Sequence, residues 1–471
     1  MYQVLTLLTP FITMPYISRV LLPEAIGVQS FAFAVSLYFA IFASMGINIY
    51  GQREISYYQD NRKELTRIFW ELKVLSLITT AIWLVIYLTL VKIYVRNNHI
   101  LYYILTINLF GVVIDVVWFF QGLEEFGKVV ARNVVVKIID VAFIFLFIKK
   151  PSDLALHVFG SVFFSVFGNL TLWIELPKYI DWPDWKNLNP FRDIQVIISL
   201  FIPTIAIQVY TILDKLMLGF FTEGSFENGY YELAMRISRM ALMVVSSLGT
   251  VVVPRIAYLF KKNEREIINE YIYRSFKFIW FISVPMCLGL IAISDNFVAW
   301  FFGDFFTKVA GLLKISSVMF IAMGLNGVTG GQYLIPTGRQ NLFTFTILIG
   351  ASVNFIMNIF FIRLFQSYGA LFASVTAEFL IAFMQIYILR KEISLKKIIL
   401  CGKNYIIAGL VMFFILMSIN KYFAPSMLNT LILIFAGAVI YFTVLFIFRD
   451  EFFINNIKRV WGVFSRFQKK K

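Results

Sequence analysis

The chain has 471 residues, 60% of them hydrophobic and 15% charged, with 52 Phe and a mean hydropathy of +0.79. A soluble domain stays near half apolar and about a quarter charged because its surface must meet water, so this composition excludes a soluble globular protein and implies one membrane body. The net charge of +15 therefore points to membrane surfaces rather than to nucleic acid. With two Cys (Cys287 and Cys401) and two His (His99 and His157), neither a disulfide framework nor a Cys- or His-based metal site is expected. An apolar segment begins almost at once, without a basic n-region or a small-residue cleavage site, so no cleavable signal peptide is expected.

About 20 apolar residues cross the hydrocarbon core as a helix. In chain order, apolar runs between charge clusters predict fourteen spans, at about 2–22, 26–48, 67–91, 99–120, 130–148, 154–175, 193–220, 229–257, 274–294, 308–334, 342–362, 369–389, 403–419 and 427–448, with twelve as the alternative count. Pro10 and Pro15 interrupt the first. The longest connections, 176–192 and 258–273, are too short for a soluble catalytic domain. With the N-terminus inside, the inner connections and tail hold about 28 Lys and Arg against 9 in the outer loops. Cytoplasmic loops carry the excess of Lys and Arg, so both termini are expected in the cytoplasm. Lys261, Lys262 and the tail Lys469–Lys471 then meet the anionic inner leaflet.

Features recur at an offset of six spans. Pro10 and Pro203 open the first and seventh, and Gly27–Ala32 and Gly229–Ala234 share a Gly-x-x-x-x-Ala spacing. The aromatic runs Trp118-Phe119-Phe120 and Tyr333 close the fourth and tenth. A six-span unit returns the chain to its starting side, so two copies are parallel, with a substrate site expected between them. The fold expected is an all-α polytopic membrane protein of about fourteen helices, two six-helix lobes around a central cavity plus two C-terminal helices. Its parts are residues 1–177, a cytoplasmic linker at 178–192, 193–390, and a final pair of spans with the basic tail at 391–471.

A charge at the bilayer centre costs about 2.5–3.5 kcal/mol on insertion scales, so it must pair, face water or lie near an interface. Arg236 and Arg239 share a face of the eighth span; Glu232 sits one turn before Arg236 and reads as its partner, leaving Arg239 without an obvious acid in its helix. Asp214 and Lys215 are adjacent and point about 100° apart, toward different neighbours. Asp115, Lys137 and Asp140 suggest a charged knot that is either packing glue or a gating or ion-coupling site, and Glu378 is the least accompanied acid. Lys73 also falls within a span. His157 reads as a core or interfacial histidine.

The stretches Thr9–Leu21 (TPFITMPYISRVL), Gly46–Ile55 (GINIYGQREI), Trp118–Phe126 (WFFQGLEEF), Tyr210–Lys215 (YTILDK) and Leu248–Arg255 (LGTVVVPR) resemble, in order, the signatures of polysaccharide-unit flippases of the multidrug/oligosaccharidyl-lipid/polysaccharide exporter superfamily. A fainter match runs through Pro336–Arg339 (PTGR) to about 390. The family usually has Gly where Leu22 stands and a Gly near Ala25, departures expected to touch only a loop.

The resemblance implies two six-helix lobes working by alternating access in a bacterial cytoplasmic membrane, with no catalysis by the chain and no cofactor. Proton or sodium coupling is left open. Its implied cargo is an oligosaccharide on a polyprenyl diphosphate, alongside membrane lipids and the polymerase and glycosyltransferases of the same pathway. A diphosphate suits planar, permanently charged donors. Arg19 and Arg53 match the arginines of the first two motifs, and Arg236 and Arg239 would join them from the facing lobe. The alternative for Arg19 and Arg53 is interfacial anchoring; Arg255 and Arg339 read as lipid-facing cations at helix ends. Gln208, Tyr210, Asn326, Gln332, Asn354 and Asn358 offer hydroxyl, amide and aromatic groups for a sugar. A cation-coupled drug exporter of the same fold is disfavoured by four arginines, and a membrane polymerase by the short outer loops. No G-x-x-x-x-G-K-[ST] is present to support ATP hydrolysis.

The loop charges generate a direct test. With Cys287 and Cys401 replaced by Ser, Lys262→Cys and Lys396→Cys are expected to be protected from an impermeant thiol reagent in sealed cells, and Lys421→Cys to react. Labelling of the first two would reverse the orientation.

Overall fold

Inside hydrocarbon a peptide group has no water to bond, so each crossing segment must satisfy its own donors and acceptors. The computed structural model describes residues 2–222, 224–247 and 249–456, apart from the side chains of 2–8, 203, 204, 206–211, 250 and 251. Each of the fourteen expected runs is mostly helical in its described residues, and no strand occurs among the described residues. Ten helical stretches there are long and apolar enough to cross a membrane, and the first, Thr9–Tyr57, contains more than one expected segment. The chain is an all-α, multi-pass membrane protein.

Two compact units divide at Gly229/Tyr230. The first holds α1 (Tyr2–Ser44), α2 (Ile47–Tyr57), α3 (Arg62–Tyr94), α4 (His99–Ile114), α5 (Val117–Gly122), α6 (Phe126–Phe147), α7 (Leu154–Trp173) and α8 (Ile194–Phe221). The expected boundary lay earlier, at 178–192. Two observations account for the difference: α8 packs on α1 and α2, and the segment expected as a linker is clamped onto α3. Arg62 donates to both Asp181 carboxylate oxygens (2.9 and 2.8 Å) and to the Lys178 carbonyl (2.8 Å), and Trp70 Nε1 donates to the Asp181 carbonyl (3.1 Å). Further along, Arg192 pairs with Glu71 at 3.1 Å. The Arg62 guanidinium holds the Asp181 carboxyl below the usual carboxylate range.

The second unit begins within α9 (Phe226–Ser246) and continues through α10 (Gly249–Lys261), α11 (Arg265–Phe301), α12 (Thr307–Ser317), α13 (Met319–Asn326), a π-helical stretch Gly327–Leu334, α14 (Gln340–Phe365), α15 (Ser367–Ile388), α16 (Leu395–Asn420) and α17 (Met427–Ile447). Its axis is α11, from which Phe276 and Ile279 join one buried cluster and Ala292 and Ile293 another. The C-terminal pair is held to it by polar pins as well as packing. Trp280 Nε1 donates to the Ile398 carbonyl (3.1 Å) and the Tyr441 hydroxyl to the Phe281 carbonyl (3.0 Å).

The first two expected spans are limbs of α1, separated by a single non-helical residue. Leu22 has φ 64° and ψ 167°, and Pro23 restarts the helix without an N–H to lose. Leu22 therefore stands at a strained break, and the departure noted there falls on backbone geometry, not on a slack loop. Just beyond, the chain approaches α9 closely: a Cβ on Gly27 would lie 1.6 Å from the Ser225 carbonyl oxygen, and one on Gly229 2.2 Å from that of Pro23.

A side chain at such a positive φ costs about 1–3 kcal/mol, and glycine returns roughly 0.4–1 kcal/mol of this through the unfolded chain. Leu22→Gly is therefore expected to stabilise the protein by about 1 kcal/mol, read as a higher thermal unfolding midpoint in detergent. A lower midpoint would show that packing of the leucine outweighs its strain.

Candidate functional site

In the first unit the polar groups gather where α4 breaks. A helix C-terminus leaves carbonyls without intrahelical partners, and these need donors at membrane depth. Lys73 supplies them from α3. It is 6% exposed, donates to the carbonyls of Val113 (2.9 Å) and Asp115, and lies 5.5–5.8 Å from the ring centres of Phe69, Trp118 and Trp173. The negative end of the α4 dipole and three aromatic faces both favour a cation there. Trp173 Nε1 covers the Ile114 carbonyl at 2.7 Å. The Asp115 carboxylate turns the other way, accepting from the N–H of Val117, the first residue of α5 (2.9 Å), and from Asn48 Nδ2 (3.3 Å).

The expected knot of Asp115 with Lys137 and Asp140 is thus not formed. Lys137 and Asp140 pair within α6 at 3.1 Å and line a separate polar pocket against α7. Its volume is about 250 Å³, and its polar walls are Arg132, Asn133, Lys137, Asp140, Ser161, Ser165 and Asn169. Arg132 donates to Asn169 Oδ1. Asp140 Oδ1 has no hydrogen-bond partner among the described residues. Two basic side chains, one carboxylate and four amides or hydroxyls make an anion- and sugar-tolerant lining. Arg132, Asn133 and Asn169 were passed over in the sequence; the legible signal was a charge every turn along an otherwise apolar α6.

Arg53 is held by its neighbour, with Nη2 2.9 Å from Glu54 Oε1, and lies over the Tyr50 ring. Arg19 is exposed on α1, and Asp214 is buried on α8 with Lys215 half-buried beside it. The side chains of Gln208 and Tyr210 lie outside the described residues. His157 is buried on α7, which packs against α4.

In the second unit Glu232 is 4% exposed and serves two arginines: Arg236 Nε at 2.5 Å and an Arg239 guanidinium nitrogen at 3.5 Å. Arg239 is therefore accompanied after all, because a residue seven positions on returns to the same helix face. One carboxylate against two guanidiniums leaves the cluster positive. Glu378 is likewise not solitary: Asn326 Nδ2 donates to its carboxylate (2.5 Å) and to its backbone carbonyl (3.1 Å).

Asn354 and Asn358 are fully buried. Asn354 donates to Ser374 Oγ and Asn358 to Asn354 Oδ1, each at 3.1 Å, so they tie α14 to α15 instead of lining open space. Gln332, 4% exposed on the π-helical stretch, has its Oε1 without a hydrogen-bond partner among the described residues. Arg339, expected to face lipid, instead forks onto Glu392 (2.6 and 2.9 Å), and this holds the Glu392 carboxyl below the usual carboxylate range. Arg255 is exposed over the Tyr258 ring. No three His, Cys, Asp or Glu side chains converge as metal ligands among the described residues.

A family model described as "Polysaccharide biosynthesis protein" matches residues 1–260. The chain is 24% identical over 404 residues to the "Putative O-antigen transporter" of Escherichia coli (strain K12), covering 84% of this chain and 94% of that one. It is 22% identical over 318 residues to the "Lipid II flippase MurJ" of Bacillus subtilis (strain 168), covering 59% and 57%. In fold it is similar to a solved "Lipid II flippase MurJ, inward closed conformation" (TM-score 0.69, 15% identity, 95% of this chain and 99% of that one). A multidrug MATE transporter of the MOP superfamily is also similar (TM-score 0.59, 11% identity, 86% and 96%).

The α4 break provides a test of how the first unit is held. Lys73→Met keeps length but strips a donor from the Val113 carbonyl, and leaves that of Asp115 with Trp118 Nε1 at 3.2 Å; an unsatisfied carbonyl costs about 1–3 kcal/mol. A fall in the unfolding midpoint is expected, and an unchanged midpoint would show that the Val113 carbonyl has another partner.

Proposed function

The chain belongs to the polysaccharide biosynthesis protein family, and we propose that it is a flippase carrying polyprenyl-diphosphate-linked oligosaccharides from the cytoplasmic to the outer leaflet of a bacterial cytoplasmic membrane by alternating access. The observation that carries this reading is the polar face of α9. In a multi-pass membrane protein, a helix bearing Arg236 and Arg239 with side chains 41% and 44% exposed is best accommodated by turning that face to water, since lipid would charge kilocalories for each. The face has more positive than negative charge, so the ligand it suits is an anion. Guanidinium forks match phosphoryl oxygens two at a time and stay charged at every physiological pH.

The α6/α7 pocket has the same sign and adds the amides and hydroxyls that a sugar needs. A transporter of cationic drugs would want the opposite balance, so the fold shared with a drug exporter does not extend to its chemistry. The names of the relatives, an O-antigen transporter and a lipid II flippase, favour the same class of cargo. Outward movement of an anion also runs downhill in a membrane that is negative inside. At about 2.3 kcal/mol per charge per 100 mV, a diphosphate with ~2 negative charges gains nearly 5 kcal/mol, and in this proposal Glu378 or Asp140 couples a proton or sodium to the reset.

The test is flipping of a fluorescent polyprenyl-diphosphate oligosaccharide in proteoliposomes under a potassium-diffusion potential. Arg239→Ala is expected to cut the rate about tenfold or more, the scale of one charge-assisted bond, and Arg239→Lys to restore part of it. Wild-type flipping matched by Arg239→Ala, or indifferent to the phosphates of the cargo, would sink the proposal.

A further inference from the structure

The first unit contains an apolar cavity of about 710 Å³ between α1, the C-terminal half of α3, the start of α4 and the end of α8. That size falls within the roughly 300–1,000 Å³ of small-ligand sites. Its walls are aromatic: Tyr38, Phe39, Trp83 and Tyr87 among them. Trp83 is fixed by stacking on Phe42 at 4.8 Å between ring centres. Tyr87 spends its hydroxyl on the Tyr102 carbonyl at 2.9 Å, so the cavity meets its ring and not its polar tip. The rim is open, with Tyr94 74% and Phe220 72% exposed. At one end, in the short connection after α3, stands Arg96, an exposed residue whose guanidinium has no ion pair or hydrogen bond among the described residues.

The space is an open-sided groove and not a sealed void, and its apolar walls are better covered by hydrocarbon than by water, to which they return few hydrogen bonds. With a lone cation at its mouth, the complement is a long hydrocarbon ending in an anionic head. We propose that this cavity holds the polyprenyl chain of the carrier lipid, with Arg96 on its diphosphate. The inference rests on the flippase reading. The observation that favours a polyprenyl over an acyl chain is the aromatic wall: trisubstituted double bonds present π-faces and methyl branches to it, where a saturated chain offers neither. On the expected topology Arg96 lies on the outer side, so the site receives the carrier after it has crossed.

The test uses the full chain in lipid nanodiscs with three photoreactive probes: a polyprenyl diphosphate and a neutral polyprenol, each with a diazirine in the chain, and a diazirine phosphatidylglycerol. The polyprenyl diphosphate is expected to mark the peptides carrying Tyr87, Tyr94 and Phe220, and unlabelled polyprenyl diphosphate to compete it away. Arg96→Ala, an exposed change that spares folding, is expected to weaken that labelling about tenfold while leaving the neutral polyprenol unchanged. Val35→Trp, which fills the space, is expected to lower both. Stronger labelling by the phospholipid, or labelling that polyprenyl diphosphate does not compete, would overturn the proposal in favour of a resident phospholipid. No adduct from any probe would remove the site altogether. Cavity labelling in a wild-type chain that flips nothing would end the transport reading and leave the site standing, whereas flipping without cavity labelling would do the reverse.

Discussion

A peptide group inside a bilayer has to find its partner within the protein, and the way this chain breaks its helices follows from that demand. Where α4 ends at Ile114, the open carbonyls are met by the Lys73 ammonium and the Trp173 indole, and the Asp115 carboxylate accepts from the Val117 N–H of the next turn. The two donors come from α3 and from the end of α7, so the break is satisfied by segments distant in sequence. A charged lysine in hydrocarbon would be a liability alone; under a helix C-terminus it is the member that makes an interruption at membrane depth tolerable.

The same economy governs the break at Leu22 and the π-helical stretch Gly327–Leu334. At Leu22 the chain accepts a positive φ and relies on Pro23, which has no N–H to leave open. In Gly327–Leu334 the widened turn is braced by Thr329, which bonds back to the Leu325 carbonyl and across to Gln385. Such π segments recur at functional positions, and Gln332, with one buried oxygen unpartnered among the described residues, sits on this one.

Charges at membrane depth follow a second pattern. They are paired, but unequally. Glu232 serves two arginines, and Asp140 shares its pocket with Lys137 and Arg132. A purely structural network gains most by exact neutrality, because any residual charge must be solvated. That surplus of positive charge is the observation on which the proposed anionic cargo rests. The aromatic cavity beside α3 is a different environment within the first unit, apolar with Arg96 at its end.

Composition and hydropathy were enough to specify a multi-pass all-helical membrane protein and the approximate place of each helix, because the hydrocarbon thickness imposes one length scale on every span. The pairing of Glu232 with Arg236 was also legible, since residues one turn apart on a helix must meet. Its extension to Arg239 follows the same face but depends on where long side chains reach. What tertiary structure alone decided are contacts between segments distant in sequence: Asn326 beneath Glu378, Glu392 on Arg339, Asp181 on Arg62, and α8 within the first compact unit. Periodicity tells which face of a helix is polar and carries no information about which neighbour that face will find. Partner choice is set by packing between helices brought together by the whole fold, and so the identity of a site's members emerges only there.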